Sequence, residues 1–576
     1  MFIYTTFLCL QDAKRYFHSQ KLLFYNNLPV IFKLYLRIFL VFFIIKFIFV
    51  LMPKKPSDIL FQLIHSLEKA EKRHFKLYIT RSSGNEDLKI IKLFDVLDKM
   101  DTYDEKVLLK KLKDVTKPQL SNLKSHLYKE LLASLRLLKS NDSLDLQLNE
   151  LFDSAHILYK KGLFFQSLRA IDKAKEVATL NQKFFFLPLL LSLEKRIEAL
   201  NVTDTFKTRI DELSEEANEA NLKLDMITRL SNLSLQMYGF FIANGHARNE
   251  DEEDKVKKFF RQSLPSGSAQ QDGFYERLYY YQSYTWYAFI RQDFLMYYRY
   301  SRKWVDLFEE KPNMKRVETG HFIKGYHNLL NAHFDLRNYA ELNRVLKEFE
   351  AFSQTKRVQD NENFTVQSFV YIAGAKINFY NITGLCEEGI KEIPQIEEKI
   401  QEYDLFLDKH RVMVLNYKIA LLYYLAGDYS TCIDYLQTII NNSSELRTDL
   451  QCYARLMHLL AHYEMGNLEL MESLTRSVFR YMSRMKNLTI IEQEMFRFLR
   501  NSFKFTGRQL KPEFEQVLQK VKHLEGNRFE TRSLAYLDII SWLESKVAGK
   551  PMQEIVYNKY MKSKRRLEVG NSERSK

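Results

Sequence analysis

Apolar residues recur at every third or fourth position along most of the chain. In SDILFQLIHSLEKAEKRHFKLYIT, for example, Ile59, Leu60, Leu63, Ile64 and Leu67 fall on one side of a helix. This spacing is typical of an amphipathic α-helix, because a half-buried strand alternates every second residue. The same spacing continues through later runs such as DLKIIKLFDVLDKM and QLSNLKSHLYKELLASLRLLKS. The pattern predicts an all-α protein.

Short breaks separate the helical runs. In ALLYYLAGDYSTCIDYLQTII, which starts at Ala420, two helical runs meet at Gly427 and Asp428. Glycine can end a helix in the left-handed conformation without steric cost. Aspartate can begin the next helix by accepting hydrogen bonds from its free backbone N–H groups. We therefore expect the two helices to fold back on each other as an antiparallel pair.

Composition supports long helices joined by short connections. The 576 residues include 17 Gly and 10 Pro, well below the usual shares of about 7% and 5%. Hydrophobic residues make up 46% of the chain, enough for a buried core. The four cysteines, Cys9, Cys386, Cys432 and Cys452, have no metal-ligand or redox spacing. This indicates a reducing compartment and no disulfide framework.

Breaks and composition divide the chain into six segments. NGHARNEDEEDK and SLPSGSAQQDG combine an acidic run with Pro and Gly, which is typical of a loop. The C-terminal end is basic and polar, which favours disorder. The predicted segments are an N-terminal stretch (1–51), a basic helical domain (52–143), two helical-repeat blocks (144–243 and 274–548), a loop between them (244–273) and a basic tail (549–576).

Residues 31–51, IFKLYLRIFLVFFIIKFIFVL, are long enough to span a bilayer. Lys33 and Lys46 lie near the ends of this stretch, whereas Arg37 is costly within it. The alternative is that residues 1–51 are the translation of AT-rich DNA that lies ahead of a true start at Met52. We expect a cytoplasmic protein, or else one anchored by a single pass through residues 31–51.

The pattern around Gly427 resembles the tetratricopeptide repeat. Ala420, Tyr423, Gly427, Cys432, Leu436 and Ile439 occupy its small, aromatic, turn and apolar positions. Related units surround Gly162, Gly384 and Gly466, and weaker units carry Gln292 and Arg337 at the turn. The resemblance covers about residues 145–500. It implies an α–α superhelix, a solenoid of antiparallel helix pairs that binds proteins or peptides.

The repeat spacing is irregular. Turns at Gln292, Arg337, Gly384, Gly427 and Gly466 are separated by 45, 47, 43 and 39 residues, against about 34 in the tetratricopeptide family. Longer helices or looser links would account for the difference. In the N-terminal block, SLEKAEKRHFKLY and KSHLYKELLASLRL are similar to the opening of uncharacterised helical-repeat proteins of Bacteroidota. That resemblance indicates a bacterial protein but carries no activity.

Motifs for catalysis are missing from the sequence. There is no GxxxxGK[ST], GxGxxG, GxSxG or HExxH. His458 and His462 lie one helical turn apart in HLLAH, but without the glutamate of a zinc motif, and His321 and His327 have a poorer spacing. We expect packing or surface roles for these histidines, no catalytic or metal-binding residue, no cofactor and no enzymatic activity.

Residues 274–304 interleave aromatic and arginine side chains. Such a stretch could stack bases and hold phosphates, or line a peptide groove. The favoured interpretation is that most of the rings fill a helix-pair interface. The candidate binding surface within it comprises Tyr279, Tyr284, Arg291, Tyr298 and Arg302.

The net charge of +14 permits contact with nucleic acid or an anionic membrane but does not require it. The predicted function is a non-enzymatic scaffold or adaptor that binds a protein or peptide through its repeats. One alternative is a nucleic-acid-associated regulator that uses the basic N-terminal domain, with the solenoid as its sensor. A second is a membrane-tethered scaffold, if residues 1–51 are translated.

Overall fold

The computed structural model describes residues 58–80, 85–112, 115–140, 143–200, 206–441, 447–485, 487–502, 507–531, 534 and 536–566. All regular elements in these ranges are helical, with no strand among them. This confirms the predicted all-α class. The chain forms two compact units, Met1–Gln147 and Leu148–Lys576. The boundary falls inside a helix that begins at Leu144, close to the predicted boundary at residue 143.

The N-terminal unit is a small helical domain. Its helices are α1 (Ile59–His65), α2 (Lys69–Thr80), α3 (Asn85–Asp98), α4 (Glu105–Lys111) and α5 (Lys117–Lys139). Ile64, Phe75, Phe94 and Leu127 lie in its buried core, and the rings of Phe75 and Phe94 are 5.0 Å apart. The apolar spacing read from the sequence therefore points inward in this unit.

The second unit begins with longer and less regular helices. They are α6 (Leu144–Lys160), α7 (Phe164–Leu180), α8 (Leu187–Glu198), α9 (Phe206–Asn244) and α10 (Glu250–Ser263). Helix α9 packs along α8 and then along the first helix of the following hairpin. The described core contacts of α9 include Leu233, Met237 and Phe241.

Antiparallel hairpins make up most of the second unit. In each pair the first helix is called the A helix and the second the B helix. The pairs are α11 (Phe274–Ile290) with α12 (Phe294–Glu310), α14 (Thr319–Asp335) with α15 (Tyr339–Ser353), α17 (Glu362–Thr383) with α18 (Cys386–Glu402), α19 (Lys409–Ala426) with α20 (Tyr429–Ile440), α21 (Thr448–Glu464) with α22 (Leu468–Arg484), and α23 (Ile490–Ser502) with α24 (Gly507–Lys522). Two short helices, α13 (Asn313–Val317) and α16 (Lys356–Gln359), connect hairpins. The chain continues through α25 (Arg528–Thr531), α26 (Ile539–Ala548) and α27 (Met552–Lys562).

The hairpins stack on one another. The A helices α14, α17, α19 and α21 lie side by side, each in contact with the next. Buried residues lie on several sides of α17, which has 22 residues, because it packs against its B helix and both neighbouring hairpins. B helices such as α22 bury a single stripe, Met471, Thr475, Val478 and Met482. The stacking confirms the predicted α–α superhelix.

The hairpin turns share one backbone conformation. Gly162, Gly384, Gly427 and Gly466, the predicted turn positions, have φ between +72° and +85°. Gln292 and Arg337 stand at equivalent turns with φ of +57° and +54°. A left-handed residue ends the A helix whether or not it is glycine, although a side chain there carries some strain.

Two segments contain helices where the sequence predicted none. The predicted loop 244–273 includes α10, which begins at Glu250. The preceding residue, Asn249, caps the helix, because its side chain accepts a hydrogen bond from the Glu252 backbone N–H at 2.9 Å. Its acidic run lies in the first turn, where negative charge favours a helix N-terminus. The predicted tail 549–576 includes α27, because Met552 and Val556 lie in the core of the superhelix.

In the part of the chain that the structure describes, no helix has both the length and the apolar character needed to cross a bilayer. Residues 31–51, the predicted spanning segment, lie outside that part. The choice between Met1 and Met52 as the start falls outside it as well.

Candidate binding surface

Each A helix has a face that points away from its B helix. On α17, Lys376 and Tyr380 contact Glu392 of α18, at 3.2 Å and 2.6 Å. Gln367 and Tyr371 lie on the opposite side of α17, because helix positions repeat every 3.6 residues. We call this side the inner face.

The other A helices follow the same rule. On α14, Phe322 and Tyr326 pack on rings of α15, whereas Lys324 and Asn331 lie opposite. On α21, Arg455 lies 4.0 Å from the Tyr481 ring of α22. Positions 453, 460 and 464 of α21 lie on its inner face.

Polar side chains cover the inner face over three successive A helices. This surface, called the polar wall, comprises Lys324, His327 and Asn331 of α14, Gln367 and Tyr371 of α17, and Arg411 and Lys418 of α19. Lys324 is the most exposed of the seven and the other six are half-buried.

Direct contacts hold the polar wall together. The His327 ring stacks on the Tyr371 ring with centroids 3.9 Å apart, and the Asn331 amide lies 3.2 Å from Nε2 of His327. Lys418 Nζ donates to the carbonyl of Gly374 at 3.1 Å, in a hollow that a side chain at Gly374 would narrow. These contacts make one continuous surface of α14, α17 and α19.

Burial and neighbouring charge shift the pKa values of this surface. Burial and the charge of Arg411 lower the pKa of Lys324. Burial and the charge of Arg447 lower the pKa of Lys418 to about 8. Burial, with Lys418 and Arg411 nearby, lowers the pKa of His327 to about 3. At neutral pH the imidazole is therefore uncharged and Lys418 keeps most of its charge.

One carboxyl group lies on the inner face of α14. Burial raises the pKa of Asp335 to about 7, against the smaller opposing effects of Arg337 and Lys418. Its buried Oδ2 has no hydrogen-bond partner among the described residues. Asp335 is therefore only partly ionised near neutral pH and compensates little of the positive charge.

Farther along the superhelix the inner face is covered by the chain itself. Residues 536–566, called the C-terminal segment, contact Asp449, Tyr453 and Glu464 of α21. These three residues and the buried Leu460 of the same face are called the covered wall. The Tyr536 ring stacks on Tyr453 at 4.5 Å, and its hydroxyl donates to Asp449. Trp542 Nε1 donates to Glu464 at 2.6 Å. Leu460 is completely buried.

The five aromatic and arginine residues singled out from the sequence lie in different surroundings. Tyr279 presents its ring to His321 at 5.8 Å, near the start of α14. Tyr284 stacks on Tyr300 at 4.4 Å, inside the α11–α12 hairpin.

The remaining three also have local partners. Arg291 donates to Glu253 at 2.8 Å. Tyr298 packs 5.2 Å from His333, and Arg302 pairs with Asp306 of its own helix at 2.9 Å. No contact that the structure describes joins any two of the five, so it does not bring them together as one surface.

The paired histidines also have local contacts. The His458 and His462 rings are 4.6 Å apart, and His462 Nδ1 lies 3.0 Å from the Asn467 amide. His321 Nδ1 lies 3.0 Å from the Gln282 amide. Within the described ranges no group of three metal-ligating side chains comes together.

Sequence reasoning missed the polar wall. The signal lies in HFIKGYHNLLNAHFD, where Lys324, His327 and Asn331 fall on one side of the A helix at helical spacing. When the other sides of a helix are buried, a polar stripe indicates a further face that is exposed to solvent or to a ligand. Comparison with known proteins adds no function, because no family model, curated protein or solved structure matches this chain.

Proposed function

We propose that this protein is a non-enzymatic scaffold of tetratricopeptide-like helix pairs that binds a segment of another protein on the polar wall. The observation that carries the proposal is that three neighbouring A helices present polar, solvent-accessible side chains on one continuous face. Stacked helix pairs expose such a face over a long distance, which suits an extended or helical peptide.

The contrast with the covered wall supports this choice of surface. Tyr453 and Leu460 of α21 lie in the same buried cluster as Trp542, and burying one large side chain stabilises a fold by about 1.5–3 kcal/mol. The chain thus covers the apolar part of its inner face, whose exposure to water would be unfavourable. The polar wall keeps part of its side-chain surface exposed to solvent, and this is the part of the inner face that a partner can reach.

The kinship to the tetratricopeptide family is part of the proposal. Left-handed turns at Gly384, Gly427 and Gly466 support it. The period of 39–47 residues exceeds the family's about 34, and A helices of 17 to 22 residues account for part of the excess. The repeat is therefore an elongated relative of that pattern.

Affinity capture with the full chain tests the proposal. The bait is compared with Tyr371→Ala and Lys324→Glu on the polar wall, and with Arg476→Glu as the matched control. Arg476 is 62% exposed on α22, far in sequence from the wall. We expect a defined protein, retained after nuclease treatment, whose measured affinity falls at least about tenfold with the wall variants only.

Two outcomes would contradict the proposal. Recovery of nucleic acid alone, lost on nuclease treatment, would favour the nucleic-acid-associated regulator. A partner that binds the wall variants and the parent chain equally well would place the binding surface elsewhere. Circular dichroism of each variant checks that the helical fold is retained.

A further inference from the structure

Two distant parts of the second unit meet at Glu253 of α10. One oxygen of its carboxylate pairs with Arg291 Nε at 2.8 Å, which ties α10 to the end of α11. The other oxygen pairs with Arg528 of α25. Helix α10 precedes the first hairpin, whereas α25 follows the last. The ion pair of Glu253 with Arg528, called the clasp, therefore closes the array of hairpins on itself.

A second set of contacts lies near the clasp, between α9 and α21. Arg447, which directly precedes α21, lies 5.5 Å from the centre of the Phe241 ring of α9. Arg447 also donates to Asp449 at 2.9 Å. A Cβ at Gly245, the residue after α9, would lie 3.8 Å from Asp449 Oδ2. The connection between α9 and α10 thus lies directly against the start of α21, and we call this region the junction.

The apolar clusters on the two sides of the junction are separate. On one side, Val256 and Phe260 of α10 pack with α9 and α11. On the other side, Trp542 belongs to a cluster that runs from α17 to α27 and shares no residue with the first. A cavity of about 20 Å³, room for one water molecule, lies between them and is lined by polar groups such as His246 and Thr448. The contacts described across the junction are thus ionic and polar, and these cost less to break than an apolar core.

Glu253 keeps other partners when the clasp opens. Its carboxylate is 1% exposed, and a buried carboxylate without a counterion would be costly. Arg291 at 2.8 Å and Lys257 at 3.4 Å both lie on its own side of the junction. The Arg528 side chain is 40% exposed, so water can solvate its guanidinium after it leaves. The clasp can therefore release on the side of α25 without leaving Glu253 unpaired.

Direct contacts lead from the junction to the polar wall. The Tyr536 hydroxyl donates to Asp449, and the Tyr536 carbonyl accepts from the Tyr417 hydroxyl at 3.0 Å. Tyr417 directly precedes Lys418, a residue of the wall. Six of the seven wall residues are half-buried, as expected for side chains that line a confined space. The closed junction therefore lies next to the wall.

We propose that the clasp opens and closes the hairpin array, and that its opening admits a segment of a partner protein to the polar wall. On opening, Arg528 leaves the Glu253 carboxylate and α25 moves away from α10. Water reaches the closed wall, but a polypeptide segment needs a wider opening. This inference rests on the proposed function, since it states how the same wall becomes accessible to a partner.

Double electron–electron resonance measures the opening in the full chain. Nitroxide labels are attached at Lys255→Cys on α10 and at Gln519→Cys on α24, two exposed positions on opposite sides of the junction. Cys9 is replaced by serine in every protein. The cysteines in the described part of the chain are buried and do not compete for the label: Cys386, Cys432 and Cys452.

The parent chain should give one narrow distribution of distances. Arg528→Glu sets two carboxylates against each other, so we expect a longer mean distance and a broader distribution. Arg528→Lys keeps the positive charge and should keep the distribution of the parent. Arg476→Glu is the matched control, because Arg476 also pairs with a glutamate, Glu472 at 2.7 Å, but on α22 and away from the clasp. It should leave the distance unchanged.

Two results would overturn the inference at this stage. They are an unchanged distance in Arg528→Glu and an equal lengthening in Arg476→Glu. Circular dichroism checks that each variant keeps its helices. If Arg528→Glu does not fold, Arg528→Ala takes its place, since it removes the cation without adding a carboxylate, and it should lengthen the distance in the same direction.

Access to the polar wall is measured separately. A thiol placed at the centre of the wall by Tyr371→Cys is treated with a maleimide that carries a large polyethylene glycol chain. Adding Arg528→Glu should speed the reaction at least about tenfold, because like charges held together cost several kcal/mol and favour the open array. Equal rates with and without Arg528→Glu would show that the clasp does not control access, and the inference fails.

The same measurements separate this inference from the proposed function. If the clasp opens and exposes the thiol but a captured protein binds the wall variants and the parent equally, the proposed function fails and the clasp stands. If a captured protein depends on Tyr371 but Arg528→Glu changes neither the distance nor the thiol rate, the clasp fails and the proposed function stands.

Discussion

The polar wall and the covered wall occupy equivalent positions on neighbouring A helices, yet one is partly exposed to solvent and the other is buried. Both lie on the face opposite the B helix. On α21 that face is packed against Tyr536 and Trp542, with Tyr453 and Leu460 fully buried. On α14 and α17 it stays accessible and polar. The cover supplied by the rest of the chain, and not the position in the repeat, decides whether an inner face is core or surface.

The largest loss of stability is expected from removing the residues that cover the inner face of α21. Trp542 is 1% exposed, donates to Glu464, and lies between Phe514 at 5.6 Å and Tyr463 at 6.0 Å. Trp542→Ala should lower the free energy of unfolding by about 3–5 kcal/mol, because it opens a cavity and leaves a buried carboxylate with one partner fewer. Urea unfolding followed by circular dichroism measures the loss.

Tyr371→Ala is the comparison on the polar wall. It also deletes an aromatic ring, but from a partly exposed site, so we expect a smaller loss than for Trp542→Ala. Equal losses for the two variants would show that the polar wall is a core surface too, and would remove the distinction between the walls.

A second large effect is expected from the ionic contact at the edge of the covered wall. Asp449 accepts hydrogen bonds from Arg447 at 2.9 Å and from Tyr536. Despite burial, the Arg447 charge and these hydrogen bonds hold the pKa of Asp449 well below its usual value. Asp449→Asn should destabilise the protein at pH 7 by about 3 kcal/mol, because a largely buried guanidinium loses its counterion.

The pH dependence of this contact has a definite sign. A depressed pKa in the folded state stabilises the fold above the unfolded value near 3.8, and the stabilisation is lost as pH falls below it. The destabilisation caused by Asp449→Asn should therefore shrink between pH 5 and pH 3. A constant difference over this range would mean that the carboxylate charge does not contribute to the contact.

The sequence predicted the hairpins and their turns but not what covers the inner face. The spacing around Gly427 and Gly466 is local, so it can be read from a single stretch. The cover of α21 comes from residues more than 70 positions later, and no local spacing links Trp542 to Glu464. The sequence predicted a disordered tail because many basic residues surround α27. Only two of its apolar residues, Met552 and Val556, are buried, and two residues give too weak a pattern to predict a packed helix.

A third experiment compares two turns with the same backbone. Gly384 and Gly427 have φ of +73° and +85°. A Cβ at Gly427 would meet nothing within 4 Å, whereas one at Gly384 would lie 2.8 Å from the Gln553 carbonyl oxygen and the Tyr557 nitrogen of α27. Gly427→Ala should cost about 1 kcal/mol for the left-handed conformation alone. Gly384→Ala should cost about 1–2 kcal/mol more, because α27 must move.

Hydrogen exchange locates that extra cost. Amides of α27 should exchange faster in Gly384→Ala than in Gly427→Ala, while amides of α26 change little. If both variants lose the same stability and α27 stays equally protected, the close approach of α27 to this turn does not hold it in place.

The smallest expected effect concerns the polar wall and its histidine. His327 faces Tyr371 of α17 and lies near Lys418 and Arg411 of α19, and its pKa falls to about 3 in the folded protein. The unfolded chain takes up a proton near pH 6.5, whereas the folded chain does not. His327 therefore stabilises the fold above pH 6.5, and this contribution is lost as pH falls. Between pH 6.5 and 5.5 the loss should be about 1 kcal/mol.

Comparison with the variant His327→Asn isolates the contribution of His327 to stability, since the other titrating groups remain in both proteins. Asp335, whose pKa is raised to about 7, has the opposite sign: its contribution is lost as pH rises. Urea unfolding at the two pH values should show the parent losing about 1 kcal/mol more than His327→Asn on acidification. If the two proteins lose the same stability on acidification, His327 does not have the lowered pKa that its burial in the folded protein predicts.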